Sequence, residues 1–208
     1  MEKLGGRVLT SCEVLGFEAK GRQVTGICTT RGKITAEEII VAGGAWSAQL
    51  AAFLKLDLCM QPAKGYSITF KRPPTCPSLP VALAEAKVVM TPMADTLRLA
   101  GTLELAGFDQ TINLRRVKAI LNAVRRYFPD MDPEAHELLE IWRGMRPCSP
   151  DGLPYIGRAP RYDNVIIATG HGMLGISLAP ITGAIVSQLS ASQKPPVDMN
   201  PLSPERFR

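Results

Sequence analysis

Seven consecutive residues, Gly170, His171, Gly172, Met173, Leu174, Gly175 and Ile176, carry the clearest chemical signature in the chain. Glycines so closely spaced let the backbone approach a bound group, because no Cβ intervenes and left-handed φ values cost little. The apolar run Val165, Ile166, Ile167 and Ala168 precedes them, the pattern of a strand buried on both faces. An apolar, small-residue segment follows as far as Leu189, long enough for about four helical turns. Strand, glycine loop and helix in that order suit a phosphate or another anionic group, since a helix N-terminus presents free N–H groups and a partial positive charge. The same order also makes a plain tight turn, and both readings stand on these residues alone.

The arrangement occurs a second time. Glu38 to Ala42 is an apolar strand, Gly43-Gly44 breaks it, and Ala45 to Leu54 has the composition of a helix. Around these two sites the chain divides into short elements. Val8 to Phe17 reads as a strand, Lys20-Gly21-Arg22 as a turn, and Gln23 to Thr30 as the return strand. Gln61 to Lys71 is a further strand, and the proline-rich Arg72 to Pro80 is a connection without regular structure. Lys87–Met93 and Thr96–Thr102 form a hairpin turning at Ala94-Asp95. Leu114 to Phe128 is the clearest helix: Leu114, Val117, Leu121, Val124 and Phe128 share one face with Ile120, and Arg115, Lys118, Asn122 and Arg125 take the solvated one. Glu137 to Arg143 is a strand, and Met145 to Gly157 an ordered proline–glycine loop.

Composition narrows the partners. The chain has 208 residues, 46% of them hydrophobic, and a net charge of +5, enough for one large domain or two small ones. Its basic residues are dispersed and its aromatics few, so a nucleic-acid face is not indicated; a basic pocket for anionic ligands suits the charge better. The five cysteines form no C-x-x-C pair and there are two histidines, which argues against a metal site and for buried thiols in a reducing compartment. The N-terminus lacks the apolar stretch of a signal peptide. Between Asp163 and Lys194 only His171 can carry charge, yet glycine, serine, threonine and Pro180 interrupt the run that a membrane span needs.

Four phrases carry a resemblance over nearly the whole chain: IIVAGGAWS (Ile39–Ser47), GTLE (Gly101–Glu104), WRGMRPCSPDGLPYIG (Trp142–Gly157) and NVIIATGHGMLGISLAPITG (Asn164–Gly183). In this order they resemble the FAD-dependent D-amino-acid oxidase and dehydrogenase superfamily, which includes glycine and sarcosine oxidases, and are most similar to the D-amino-acid dehydrogenase branch. The resemblance implies an α+β fold: a mostly antiparallel substrate-domain sheet with a covering helix, beside remnants of an FAD-binding α/β domain. It divides the chain into a partial FAD-binding domain (1–54), a substrate domain (55–146), a second part of the FAD-binding domain (147–194) and a tail (195–208).

The resemblance also implies roles. FAD is the expected cofactor, touched by Val14, Gly43, Gly44, Trp46, Gly170, His171, Gly172, Met173, Leu174, Gly175 and Ile176. A hydride passes from the substrate Cα–H to the flavin ring, and the imine left behind is hydrolysed by water, so no catalytic side chain and no metal is expected. Arg146 is expected to bind the substrate carboxylate through its planar fork, with Arg143 as the neighbouring competitor. His171 either contacts the flavin or the substrate pocket or holds the turn by hydrogen bonds. Met173 implies a pocket tolerant of a side chain, and Tyr66 and Glu104 are structural or stand behind the site. The substrate is a D-amino acid; sarcosine, glycine or hydroxyproline is the alternative, and a flavin-free binding module that retains the fold is the non-enzymatic one.

One departure bears on the cofactor. Members of the superfamily begin with a strand and G-x-G-x-x-G that hold the ADP half of FAD, and no such fingerprint occurs here. The expectation is a fragment whose partner is the missing N-terminal half, with little FAD bound by this chain alone. The expected location is cytoplasmic, and peripheral association with the inner face of the membrane through an electron acceptor is left open.

Overall fold

The protein, seen in a computed structural model, is described over residues 2–207, and these form two compact units. The first joins the chain up to residue 60 with the chain from Pro147 onward. In it β1 (Val14–Lys20) pairs antiparallel with β2 (Gln23–Thr29), and β2 with β3 (Gly32–Ile34). The strand expected from Val8 begins only at Val14: Val8 and Leu9 are exposed, and Ser11 takes a left-handed φ of 50°, so the chain bends before it can pair. A second sheet has the order β10 (Tyr155–Arg158), β11 (Val165–Thr169), β4 (Ile39–Val41). β10 and β11 are antiparallel, whereas β11 and β4 are parallel, with Val165 opposite Ile39 and Ile167 opposite Val41. Val165, Ile166 and Ile167 are completely buried, which is why that strand reads as a continuous apolar run.

Side chains bind these pieces to one another. The Asn164 amide brackets Val24, accepting from its N–H at 2.9 Å and donating to its carbonyl at 2.9 Å, and so joins the two sheets. A one-turn 3-10 helix at Gly44–Trp46 leads into α1 (Ser47–Phe53), and α3 (Gly175–Ser190) packs on β10 and β11. Arg158 donates to the Leu189 carbonyl at the end of α3 and pairs with Glu38 at 2.7 Å, placing a cation where the helix ends negative. The stretch expected as a tail is anchored: Arg206 grips Asp151 at 2.8 and 3.0 Å and lies 3.8 Å over the Tyr155 ring. Among the described residues no helix is long and apolar enough to cross a membrane.

The second unit runs from Gln61 to Arg146. Its sheet has the order β6 (Val81–Leu83), β7 (Val88–Pro92), β8 (Thr96–Glu104), β5 (Gln61–Lys71), β9 (Leu138–Cys148). β6, β7, β8 and β5 pair antiparallel in turn. One face is covered by α2 (Leu114–Tyr127), whose Val117, Ile120, Leu121 and Val124 pack on Tyr66, Ile68, Phe70, Leu97 and Leu99. Leu114, expected on that face, is exposed in the first turn, and Arg125, expected on a solvated face, pairs with Asp132 at 2.9 Å and with Glu134. β9 also corrects the expected loop from Met145, since it continues through Gly144 and Pro147 to Cys148. Both residues read as breakers in sequence, but β9 is the last strand of the sheet, where a missing N–H costs no ladder bond on the open side. The expected class holds: α and β elements are mixed, and the larger sheet is mostly antiparallel under a single helix.

Candidate functional site

The first unit brings the two glycine turns together. Because β4 and β11 are parallel neighbours, Gly43–Gly44 and Gly170–Gly175 both follow the carboxyl ends of their strands, the edge at which open α/β sheets bind ligands. The Thr169 hydroxyl donates to the Gly44 carbonyl at 2.9 Å and fixes one turn against the other. The glycines differ in what holds them. A Cβ on Gly43 would stand 2.8 Å from Leu50, and one on Gly170 3.1 Å from the Tyr155 ring, with φ at +83°; these two are glycines because protein surrounds them. Gly44 (φ +55°) and Gly172 (φ +54°) have left-handed backbone and open space where a Cβ would project. Gly175 would meet only the His171 Cβ at an ordinary 3.5 Å.

No side chain caps the N-terminus of α3, so its first N–H groups stay available to an acceptor. Around that turn the apolar side chains face outward: Met173 is 75% exposed and Ile176 93%, with Leu174 and Trp46 also exposed, a grouping that calls for a covering ligand or partner. Beside the other turn the Ser47 hydroxyl is buried with no hydrogen-bond partner among the described residues. Two bare left-handed glycines, an uncapped helix and exposed apolar residues at one sheet edge fit part of a large anionic cofactor such as FAD. Val14 stands elsewhere in this unit, opening β1 opposite Thr29 in the other sheet.

His171 holds the turn. Its Nε2 lies 3.0 Å from the Thr182 hydroxyl, its backbone bridges Cys148, and the next residue, Gly172, donates to the Pro147 carbonyl at 2.8 Å. Burial lowers its pKa below the ordinary histidine value, so the ring is neutral at pH 7.

In the second unit the sheet face opposite α2 carries Arg146. The two arginines of β9 part company here. Arg143 reaches the Gln110 carbonyl, at 2.6 Å, in the loop that precedes α2. Arg146, three residues on and therefore on the opposite face, donates to the Thr102 carbonyl at 3.0 Å. Thr102 takes a left-handed φ of 68°, unusual for its residue type. The Arg146 guanidinium occupies the space over Gly65 on β5, where a Cβ would come within 2.2–2.4 Å of it. Among the described residues no carboxylate lies within salt-bridge distance of Arg146, so the structural ion pair that would make it a scaffold residue is missing.

Tyr66 and Glu104 belong to a network on the α2 side whose centre the sequence does not advertise. Lys64 is 0% exposed, yet its ammonium donates to Asp109 and to the Thr111 carbonyl, both at 2.9 Å, and lies 3.6 Å from Glu104. The Tyr66 hydroxyl donates to Glu104 at 2.6 Å and accepts from the N–H of Asn113, the cap of α2. Glu104 is held below its usual range, first by the Tyr66 hydrogen bond. Asp109 is lowered to about 2, chiefly by the Thr111 backbone N–H and then by Lys64. Burial opposes charge on Lys64, but its two carboxylates and Tyr66 outweigh burial and its pKa is raised. Tyr66 and Glu104, expected to be structural or to stand behind the site, anchor the helix to the sheet. Among the described residues no cluster of His, Cys, Asp and Glu would hold a metal ion.

Comparison with known proteins places this geometry. The family described as FAD dependent oxidoreductase matches residues 1–189. The D-amino acid dehydrogenase of Vibrio atlanticus is 35% identical over 99% of this chain and 49% of its own length. The glycine oxidase of Pseudomonas aeruginosa is 34% identical over 92% of this chain and 52% of its own. Among solved structures, glycine oxidase from Geobacillus kaustophilus superposes with a TM-score of 0.86 at 30% identity, covering 95% of this chain and 52% of that one. The chain spans about half the length of the curated relatives it matches. With a family match over nearly its whole length and the strand–glycine–helix turns that such a cofactor requires, the chain belongs to the FAD-dependent oxidoreductase family that contains the D-amino-acid and glycine oxidases.

Proposed function

We propose that this chain supplies the substrate-binding sheet and part of the cofactor-binding sheet of a flavoenzyme that oxidises the CH–NH bond of amino acids, D-amino acids first among them. The observation that carries the reading is Arg146, a guanidinium seated on a vacated glycine and aimed by a backbone carbonyl, with no carboxylate partner among the described residues. In this reading the discontinuous unit (residues 1–60 and 147–208) is the FAD-binding part and Gln61–Arg146 the substrate part. Gly44, Gly172, Gly175 and the N-terminal N–H groups of α3 hold FAD, with Met173, Leu174, Ile176 and Trp46 as apolar cover. FAD when bound supplies the two-electron acceptor. The residues of this chain bind and orient: the fork of Arg146 takes both carboxylate oxygens and so fixes the orientation of the substrate's Cα. His171, neutral and tied to Thr182, keeps the turn in shape and adds no charge beside the cofactor.

Glycine or sarcosine oxidation is the second reading, favoured by a glycine oxidase of nearly equal identity. The deciding measurement is steady-state kinetics on an amino acid and on its decarboxylated amine, with flavin content followed in parallel. Arg146→Lys keeps charge without the fork and should weaken amino-acid turnover. Arg146→Ala should cost about 2–5 kcal/mol, as expected for a desolvated charge pair losing one member. Amine turnover and flavin content should hardly change, and equal losses on both substrates would reduce Arg146 to a scaffold residue.

A further inference from the structure

Arg146 is not the only side chain of β9 that occupies the place of a missing Cβ. A Cβ on Gly144 would stand 2.2 Å from the outer edge of the Trp142 ring and within about 3 Å of two further ring atoms. Gly65 is vacated beneath the guanidinium in the same way. Glycine inside a strand normally weakens it, because it contributes no packing and loses more entropy on ordering. Two such glycines, each with a neighbour's planar group in the place of a Cβ, mark a surface shaped to seat those groups.

Trp142, Gly144 and Arg146 alternate onto the same face of β9. Ile141, between Glu140 and Trp142, packs instead into the core beneath α2. The indole bends over Gly144, and the Arg146 guanidinium lies over Gly65 on the neighbouring strand β5, so both groups lie on one face of the sheet. Although it is a large apolar side chain resting on a sheet, Trp142 remains 52% exposed. Beyond it, Ser67, Arg98, Glu140 and Trp142 line a cavity of about 430 Å³, and Arg98 is steadied by Thr69 at 3.3 Å.

We propose that Trp142 is the specificity-determining wall of the substrate site, and that the substrate class is amino acids with a flat or extended apolar side chain. The proposal rests on Arg146 binding the carboxylate. With the carboxylate on the fork, a large apolar side chain can lie against the exposed indole on the same face, and aromatic contact beyond simple burial adds to affinity. Glycine and sarcosine carry no such side chain and gain nothing from the indole.

The test uses two plain carboxylates, propionate and 3-phenylpropionate, with binding to the intact protein measured by calorimetry and the change in tryptophan emission followed alongside. The expected result is at least about tenfold tighter binding of 3-phenylpropionate than of propionate, accompanied by altered emission. Trp142→Ala should abolish that preference while leaving propionate binding in place. Trp142→Phe should keep part of it, and Arg146→Ala should lose both ligands. Equal affinity of the two ligands, or a preference that survives Trp142→Ala, overturns the role of Trp142 and leaves the carboxylate fork standing. If the unaltered protein binds neither ligand, or Arg146→Ala binds both normally, the carboxylate reading falls and the Trp142 proposal with it. Circular dichroism of each variant identifies a loss of binding that comes from misfolding.

Discussion

Replacing Gly65 with alanine tests the site without altering any group that touches a ligand. The new Cβ would enter space held by the Arg146 guanidinium, 2.2 Å from Nη1, 2.3 Å from Nη2 and 2.4 Å from Cζ. Real Cβ atoms are not found at such distances, so one partner must move. The guanidinium is the far end of a flexible side chain, whereas β5 is buried and paired to β8, and the arginine therefore yields. Stability should change little. Leaving the Thr102 carbonyl costs about 1 kcal/mol, and exchanging a strand glycine for alanine returns about 0.5–1 kcal/mol. The fork is displaced but not removed, so roughly half of the 2–5 kcal/mol expected for a full truncation should be lost. That corresponds to about a five- to seventyfold fall in kcat/KM for amino acids. The assay compares an amino acid with its decarboxylated amine, and measures flavin content and the melting temperature in parallel. Unchanged amino-acid kinetics would show that the seat of Arg146 on Gly65 has no part in binding. A comparable fall with the amine would show that the sheet was distorted.

Three further outcomes follow from the same geometry. Gly172→Leu should lower flavin content in the intact protein, because open space and a left-handed φ are both taken away; retained flavin would remove Gly172 from the cofactor site. Gly170→Ala should instead destabilise the fold by about 1–2 kcal/mol whether or not flavin is present, since its φ is +83° and Tyr155 crowds it, and an unshifted melting temperature would refute this. The carboxylates around Lys64 should make stability acid-sensitive: with Glu104 depressed and Asp109 lowered to about 2, their contribution is complete above their unfolded pKa values near 4 and is lost as pH falls toward 2. Urea titrations at pH 6 and pH 2.5 should therefore diverge less for Asp109→Asn than for the unaltered protein, and identical divergence would contradict the depressed value.

Much of the fold is legible in the sequence for local reasons. The run Val165–Ala168 has the pattern of a strand buried on both faces, the α2 face repeats at helical spacing, and the glycine clusters mark turns whatever surrounds them. These signals depend on near neighbours and on the apolar or polar character of each position. They mark Gly44 and Gly172, and the resemblance adds Arg146, but none of this says what each faces. Tertiary structure decides that. The parallel pairing of β4 with β11 sets two turns, more than 120 residues apart in the chain, against each other through Thr169 and Gly44. Sheet alternation sends Arg143 to the α2 side and Arg146 to the other. Tertiary packing also separates glycines required by protein neighbours, Gly43 and Gly170, from those that border open space. Lys64 shows the limit most plainly: by residue type it belongs in water, and only the meeting of β5, β8 and the loop before α2 supplies the two carboxylates and the carbonyl that let its charge be buried. Such partners lie about 40 residues away in sequence, where no local periodicity reaches.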